Sequence, residues 1–301
     1  MSRLTGTFLL AVALCGCDGA RQADDVADPA TADKLGFDLA LARDFRIVVS
    51  RDVGDGSALF GLDLEGGAAR QLIEPMEFAG YARWVPGGSR VVFLGAGSDG
   101  IALMALDAES GAVTELIANM GDPVDFSPDG SNMLLTLGLE SGGRGLFRQS
   151  LGSDSRLRIE TGSDADAYAR WSPAGGTITF ESGRDGNPEI YRHDLENGTT
   201  VRLTDTSGLD EWPSFSPDGT QIAWASGDEE EKHLWVMRAD GTEKRQLTDG
   251  LMFGDAYPEW SPGGEQILLT ARVDEGSALY LVDVAIGTST PVGPGAAPTW
   301  R

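Results

Sequence analysis

The chain has 301 residues, enough for one large β domain or two of average size. A formal net charge of −24 argues against a nucleic-acid partner, which needs a basic face, and disfavours electrostatic docking on anionic lipid. The 41 glycines follow no collagen period, so they imply many turns and many short strands.

The first segment reads as an address. Arg3 precedes the apolar stretch Phe8-Leu9-Leu10-Ala11-Val12-Ala13-Leu14, which is too short for a membrane span and ends on small residues, as a secretory signal does. The sequence Leu14-Cys15-Gly16-Cys17 resembles a bacterial lipobox, which implies cleavage before Cys17 and lipidation of that cysteine. Both cysteines of the chain lie here, so the exported domain is expected to fold without a disulfide. Asp18 resembles an inner-membrane retention signal of enterobacterial lipoproteins. The expected layout is a signal peptide over 1–16, a lipid-anchored tether over 17–44 and a folded domain over 45–301, facing the periplasm.

An internal repeat dominates the remainder. Trp84-Val85-Pro86-Gly87-Gly88, Phe126-Ser127-Pro128-Asp129-Gly130, Trp171-Ser172-Pro173-Ala174-Gly175, Phe215-Ser216-Pro217-Asp218-Gly219 and Trp260-Ser261-Pro262-Gly263-Gly264 are successive copies, and Trp300 opens a truncated one. The aromatic positions step by 42, 45, 44, 45 and 40 residues. An apolar run follows each turn, as in Thr177-Ile178-Thr179-Phe180, then a polar loop, then a second run such as His233-Leu234-Trp235-Val236. A tight turn (Glu196-Asn197-Gly198, Ala239-Asp240-Gly241) and a short final strand close the unit. Four short antiparallel strands at this period make one propeller blade, whose faces are buried only by stacking on neighbours.

The chain ends complement each other. Phe45–Val49, Ala58–Leu62 and Ala69–Leu72 match the second, third and fourth strands of a copy that lacks its first, and Trp300 supplies the first. The prediction is an all-β, six-bladed β-propeller, closed by N-terminal strands pairing with a C-terminal strand, with no exposed sheet edge at the seam. The Ser-Pro-Asp-Gly stretches then read as turns between the first and second strands rather than as nucleophile sites, because proline presets φ and glycine follows.

Phe215-Ser216-Pro217-Asp218-Gly219-Thr220-Gln221-Ile222-Ala223, extended by Leu234-Trp235-Val236-Met237, Ala239-Asp240-Gly241 and Arg245-Gln246-Leu247-Thr248, resembles the repeat of TolB-type six-bladed β-propellers. The resemblance covers about 45–301. It implies a protein-binding platform in the bacterial envelope, although such propellers also accompany peptidase domains and some relatives degrade sugars. TolB's own α/β domain, which precedes its propeller, has no counterpart in the tether.

Several motifs compete with this scaffold reading. Gly95-Ala96-Gly97-Ser98-Asp99-Gly100 matches a dinucleotide fingerprint, but a third blade strand is expected where that motif needs a helix. His193 and His233 fall in or beside third strands, and no third histidine is present to complete a zinc site. The sharper constellation is acidic. Asp166, Asp210 and Asp255 each stand five residues before a blade-opening aromatic, and Asp122 stands four before Phe126. These loops gather near the axis, where carboxylates would repel unless they take up protons or a Ca²⁺ ion held by Asp166, Asp210 and Asp255. The alternative is that each aspartate satisfies its own turn. Tyr81, Phe253 and Tyr257, with Met76, Phe78 and Met252, add apolar side chains to the same rim.

The function expected is a monomeric, non-catalytic envelope lipoprotein. It would bind a protein or peptide at this acidic, aromatic face and touch the membrane through its lipid alone. The competing reading is a lyase or hydrolase, or a small-ligand or cation-binding module, working in the axial pocket.

Overall fold

The computed structural model describes residues 47–62, 69–249, 257–274 and 276–300. The signal, Cys17 and the tether lie outside the described residues. Among the described residues, 24 strands form six four-stranded sheets.

The composite blade contains β1 (Ile47–Val53), β2 (Gly56–Leu62) and β3 (Ala69–Gln71), with β24 (Ala296–Trp300) as its innermost strand. Ile47 pairs with Trp300 and Val48 with Thr299, so the two chain ends share one ladder. The alternation of β1 explains why this blade needs both neighbours. Val48 packs with Leu59, Trp84 and Phe93 toward the second blade, whereas Ile47 and Val49 pack with Leu268 and Leu279 of the sixth.

The second blade is β4 (Ala79–Trp84), β5 (Arg90–Gly97), β6 (Gly100–Asp107) and β7 (Val113–Ile117). The third is β8 (Asp125–Phe126), β9 (Asn132–Gly138), β10 (Arg144–Ser150) and β11 (Arg156–Arg158). The fourth is β12 (Asp166–Trp171), β13 (Thr177–Ser182), β14 (Glu189–Asp194) and β15 (Thr200–Arg202). The fifth is β16 (Leu209–Phe215), β17 (Gln221–Gly227), β18 (Lys232–Arg238) and β19 (Arg245–Gln246). The sixth is β20 (Glu259–Trp260), β21 (Gln266–Val273), β22 (Gly276–Asp283) and β23 (Ser289–Pro294). The fold and the closure match the expectation from the repeat.

The repeated turn is structural. Gly219 N donates to Ser216 O at 2.8 Å, with Gly219 at φ +72°. Ser216 Oγ donates to Asp218 at 2.6 Å and accepts Gln221 N at 2.9 Å. Asp218 also accepts Thr220 N at 3.0 Å. Ser127 and Asp129 repeat the arrangement one blade pair earlier. The glycine-rich stretch 95–100 closes the β5–β6 hairpin with Gly97 opposite Gly100, the geometry of a blade turn rather than of a nucleotide-binding loop.

Candidate functional site at the mouth of the axial channel

The innermost strand of each blade aims its residues at the axis. The residue just before each opening aromatic is Arg83, Asp125, Arg170, Ser214, Glu259 or Thr299. Four of these are charged, and they meet. Arg83 donates from Nε to Asp125 at 2.9 Å and pairs with Glu259. Arg170 donates from Nη2 to Glu259 at 2.8 Å and lies 3.5 Å from Asp125. Asp125 also accepts Trp171 N at 2.8 Å. The blades of Asp125 and Glu259 stand opposite each other, and both arginines bridge them, so the quartet plugs the channel with alternating charge.

Burial sets the energetics of this plug. Arg170 is 5% exposed, Asp125 5% and Glu259 8%. Burial pushes the Asp125 and Glu259 carboxyls upward and Arg83 pulls them back, leaving both raised. Burial alone would depress the Arg83 guanidinium, but Glu259 and Asp125 outweigh it and hold that group above its ordinary value. A desolvated quartet of this kind gains from mutual attraction only while every member is present.

Above the plug, each blade contributes the residue three before its aromatic: Tyr81, Pro123, Tyr168, Trp212, Tyr257 and Ala297. Tyr81, Tyr168 and Trp212 adopt φ of 53°, 54° and 54°, a conformation that bulky residues rarely hold and that costs on the order of 1–3 kcal/mol each. The pairing of β4 with β5, of β12 with β13 and of β16 with β17 shifts register at these points, so each inner strand bulges and re-aims its aromatic. The strain belongs partly to the fold, because Ala297 adopts φ 44° at the equivalent place. Neighbouring blades hold the strained amides. Thr136 Oγ1 accepts Tyr168 N at 3.1 Å, Thr270 Oγ1 accepts Ala297 N at 3.0 Å, and Glu181 accepts Trp212 N at 3.2 Å.

What remains between them is a small cleft of about 10 Å³, partly open to solvent; Tyr81, Tyr257, Pro123 and Ala297 wall it, and Arg83, Arg170 and Glu259 form its floor. The rim aromatics carry the protein's own cations. Arg170 stacks 3.6 Å from the Tyr257 ring, Arg144 lies 5.0 Å from that of Tyr168, and Lys232 Nζ lies 4.7 Å from that of Trp212. Tyr168 and Tyr257 meet edge to face at 6.3 Å.

The aspartates singled out in the sequence do not converge here. Asp166 is fully buried in its own blade, where it accepts Ser182 Oγ at 2.5 Å, Arg184 Nη2 at 2.8 Å and the Thr161 hydroxyl. Asp210 is equally buried and accepts Trp224 Nε1 at 2.9 Å and Thr206 Oγ1 at 3.1 Å, and burial beside Glu189 raises its carboxyl. Both pair across the ladder with a serine, Asp166 with Ser182 and Asp210 with Ser226. Asp122 is ion-paired to Arg144. Asp255, Phe253 and Met252 lie outside the described residues. Among the described residues, no three His, Cys, Asp or Glu side chains are placed to hold a metal ion. His193 is buried with Nδ1 2.9 Å from Thr200 Oγ1, and His233 lies 3.3 Å from Glu231 on the next blade. Tyr81 and Tyr257 both line the cleft, Tyr81 half-buried and Tyr257 6% exposed. Phe78 packs 6.4 Å from Tyr81, and Met76 packs into the core between the first two blades.

The chain belongs to the TolB β-propeller family: a model of the TolB beta propeller domain matches residues 58–293. No curated protein matches the chain. Among solved structures, TolB from Acinetobacter baumannii is 22% identical with a TM-score of 0.75, over 85% of this chain and 66% of that one. A chain of the nidogen/laminin complex is 13% identical with a TM-score of 0.66, over 84% and 97% of the two chains. Oligogalacturonate lyase from Vibrio parahaemolyticus is 10% identical with a TM-score of 0.57, over 83% and 74%. Likenesses at these identities concern the fold, which serves both binding and catalysis. The chain spans 66% of the length of the A. baumannii protein.

Proposed function

We propose that this protein is a protein- or peptide-binding propeller of the bacterial envelope, held at a membrane by lipid on Cys17, with the half-buried rim residues Tyr81, Tyr168 and Trp212 as its binding face and the buried Tyr257 as their support. The observation that carries this reading is the plug. Arg83, Asp125, Arg170 and Glu259 pair across the axis just below the rim and leave only a cleft of about 10 Å³, about the room of one water molecule. A small substrate needs a deep cavity that strips its water, whereas a protein surface needs aromatic anchors within a polar surround. The rim offers the latter. The run from Leu14 to Cys17 supports the anchor, and the family match supports the envelope setting.

The test is cross-linked capture from an envelope extract of the source organism, with wild-type protein against Tyr81→Ala and Tyr168→Ala variants that retain a cooperative melt. A partner captured by wild type and lost by both variants is expected. A partner held equally by the variants, or none at saturating protein, overturns the assignment of the face. Labelled fatty acid incorporated by wild type and not by Cys17→Ala tests the anchor.

A further inference from the structure

The charges around the mouth pair off with one remainder. Asp122 is matched by Arg144, Glu211 by Lys232, and the plug is neutral within itself. Glu181 makes no ion pair among the described residues, although it is 9% exposed and sits amid these groups. It occupies a repeat position where the third and sixth blades carry the hydroxyls of Thr136 and Thr270. All three side chains accept the amide of the strained residue in the following blade, so a hydroxyl suffices for that structural task. A carboxyl does the same task with a charge or a proton left over.

Building on the binding reading above, we propose that Glu181 is a specificity-determining residue that receives a basic side chain, the ammonium of a lysine or the guanidinium of an arginine, of the bound protein or peptide. The Glu181 carboxyl accepts the Trp212 backbone N–H and lies near Tyr168 and Tyr257. The faces of these rings toward Arg144, Arg170 and Lys232 are already covered, so they act as walls and the carboxylate supplies the selectivity. An incoming cation would take the place of the carboxyl's proton and form a charge-assisted hydrogen bond to Glu181 Oε1, the oxygen that does not accept Trp212 N. The groups bearing on Glu181 are Glu211, Arg144 and Lys232, with Tyr168 and Tyr257 beside it. Burial first, and then Glu211, pushes its carboxyl up to about 8. At neutral pH the free protein therefore holds a proton that a bound cation must expel.

The experiment is calorimetric titration of the full chain at pH 7 in two buffers of different ionisation heat. The probes are capped Gly-Lys-Gly and Gly-Arg-Gly, against norleucine and citrulline counterparts of the same shape. The cationic probes are expected to bind at least tenfold tighter than their neutral counterparts and to release close to one proton each. Glu181→Gln should abolish the release and the preference while melting cooperatively. Equal binding of neutral and cationic probes, binding without proton release, or no binding of any probe overturns the proposal. Capture of a partner by Glu181→Gln as strong as by wild type would also overturn it, while leaving the binding face intact. Loss of capture by the Tyr81 and Tyr168 variants concerns that face and is read separately.

Discussion

Arg83 and Glu259 stand 176 residues apart in the chain and form an ion pair across the axis, linking the two blades that flank the composite one. The pair therefore spans the seam where the chain closes on itself. Removing the guanidinium leaves Asp125 and Glu259 with only Arg170, in surroundings that resist charge. Arg83→Met is expected to destabilise the fold by about 3–5 kcal/mol, as measured by urea unfolding. Ser214→Ala, at the same repeat position but without charge, should cost less than about 1 kcal/mol. Equal losses for the two would show that the plug contributes nothing beyond packing.

Asp166 gives a second contrast. Its carboxylate is saturated by Arg184, Ser182 and Thr161, so a cation would have to displace the guanidinium to bind there. Asp166→Asn leaves Arg184 facing a neutral amide. A loss of about 3–5 kcal/mol is expected on the same grounds of a broken buried pair. Calcium should raise the melting temperature of neither wild type nor variant. A calcium-dependent rise in wild type that the variant lacks would restore the metal reading.

The fold was legible because the repeat announces itself at every level: aromatic, turn, apolar run and hairpin recur together, and Trp300 completes a unit begun at Phe45. The site was less so. Asp166 and Asp210 share their place before the aromatic because each closes its own blade against a serine, Ser182 and Ser226, and a residue that repeats for the scaffold's sake is a poor marker of function. The informative positions are those where the repeat changes chemistry. Arg83, Asp125, Arg170, Ser214, Glu259 and Thr299 share one place in the unit with six side chains of differing charge, and that variation was visible in the aligned copies. That Arg83 reaches Glu259 two blades away was not visible, since it depends on the closed ring. The positive φ of Tyr81, Tyr168 and Trp212 was hidden as well, because the residues that adopt it are bulky aromatics and not glycines.

The turns between first and second strands offer a test of how tightly blades pack. Gly130 and Gly219 adopt φ of +69° and +72°, so alanine at either adopts an unfavourable backbone costing about 1–2 kcal/mol. The surroundings differ. A Cβ on Gly219 would meet Pro173 Cδ at 3.6 Å, an ordinary contact, whereas one on Gly130 would meet Pro86 O at 2.7 Å. Gly130→Ala is therefore expected to lower the thermal midpoint further than Gly219→Ala. The reverse order would mean that the loop carrying Pro86 yields freely.

Glu181 links stability to pH, and comparison with its glutamine variant isolates that link from the other raised carboxyls, Asp125, Asp210 and Glu259. Its folded value of about 8 lies above the ordinary 4.5, chiefly because burial disfavours the charge. The folded state thus binds the proton more tightly than the unfolded chain. The stability this contributes is present in full below the unfolded value and is lost as pH rises through the folded one. Glutamine mimics the protonated carboxyl and does not titrate. Glu181→Gln should therefore match wild type near pH 4 and exceed it progressively above pH 5, by on the order of a few kcal/mol at pH 9. The measurement is a series of urea unfolding curves for both proteins across that range. A difference that stays constant with pH would show that Glu181 is ionised at neutrality, and that a binding partner finds a carboxylate already formed.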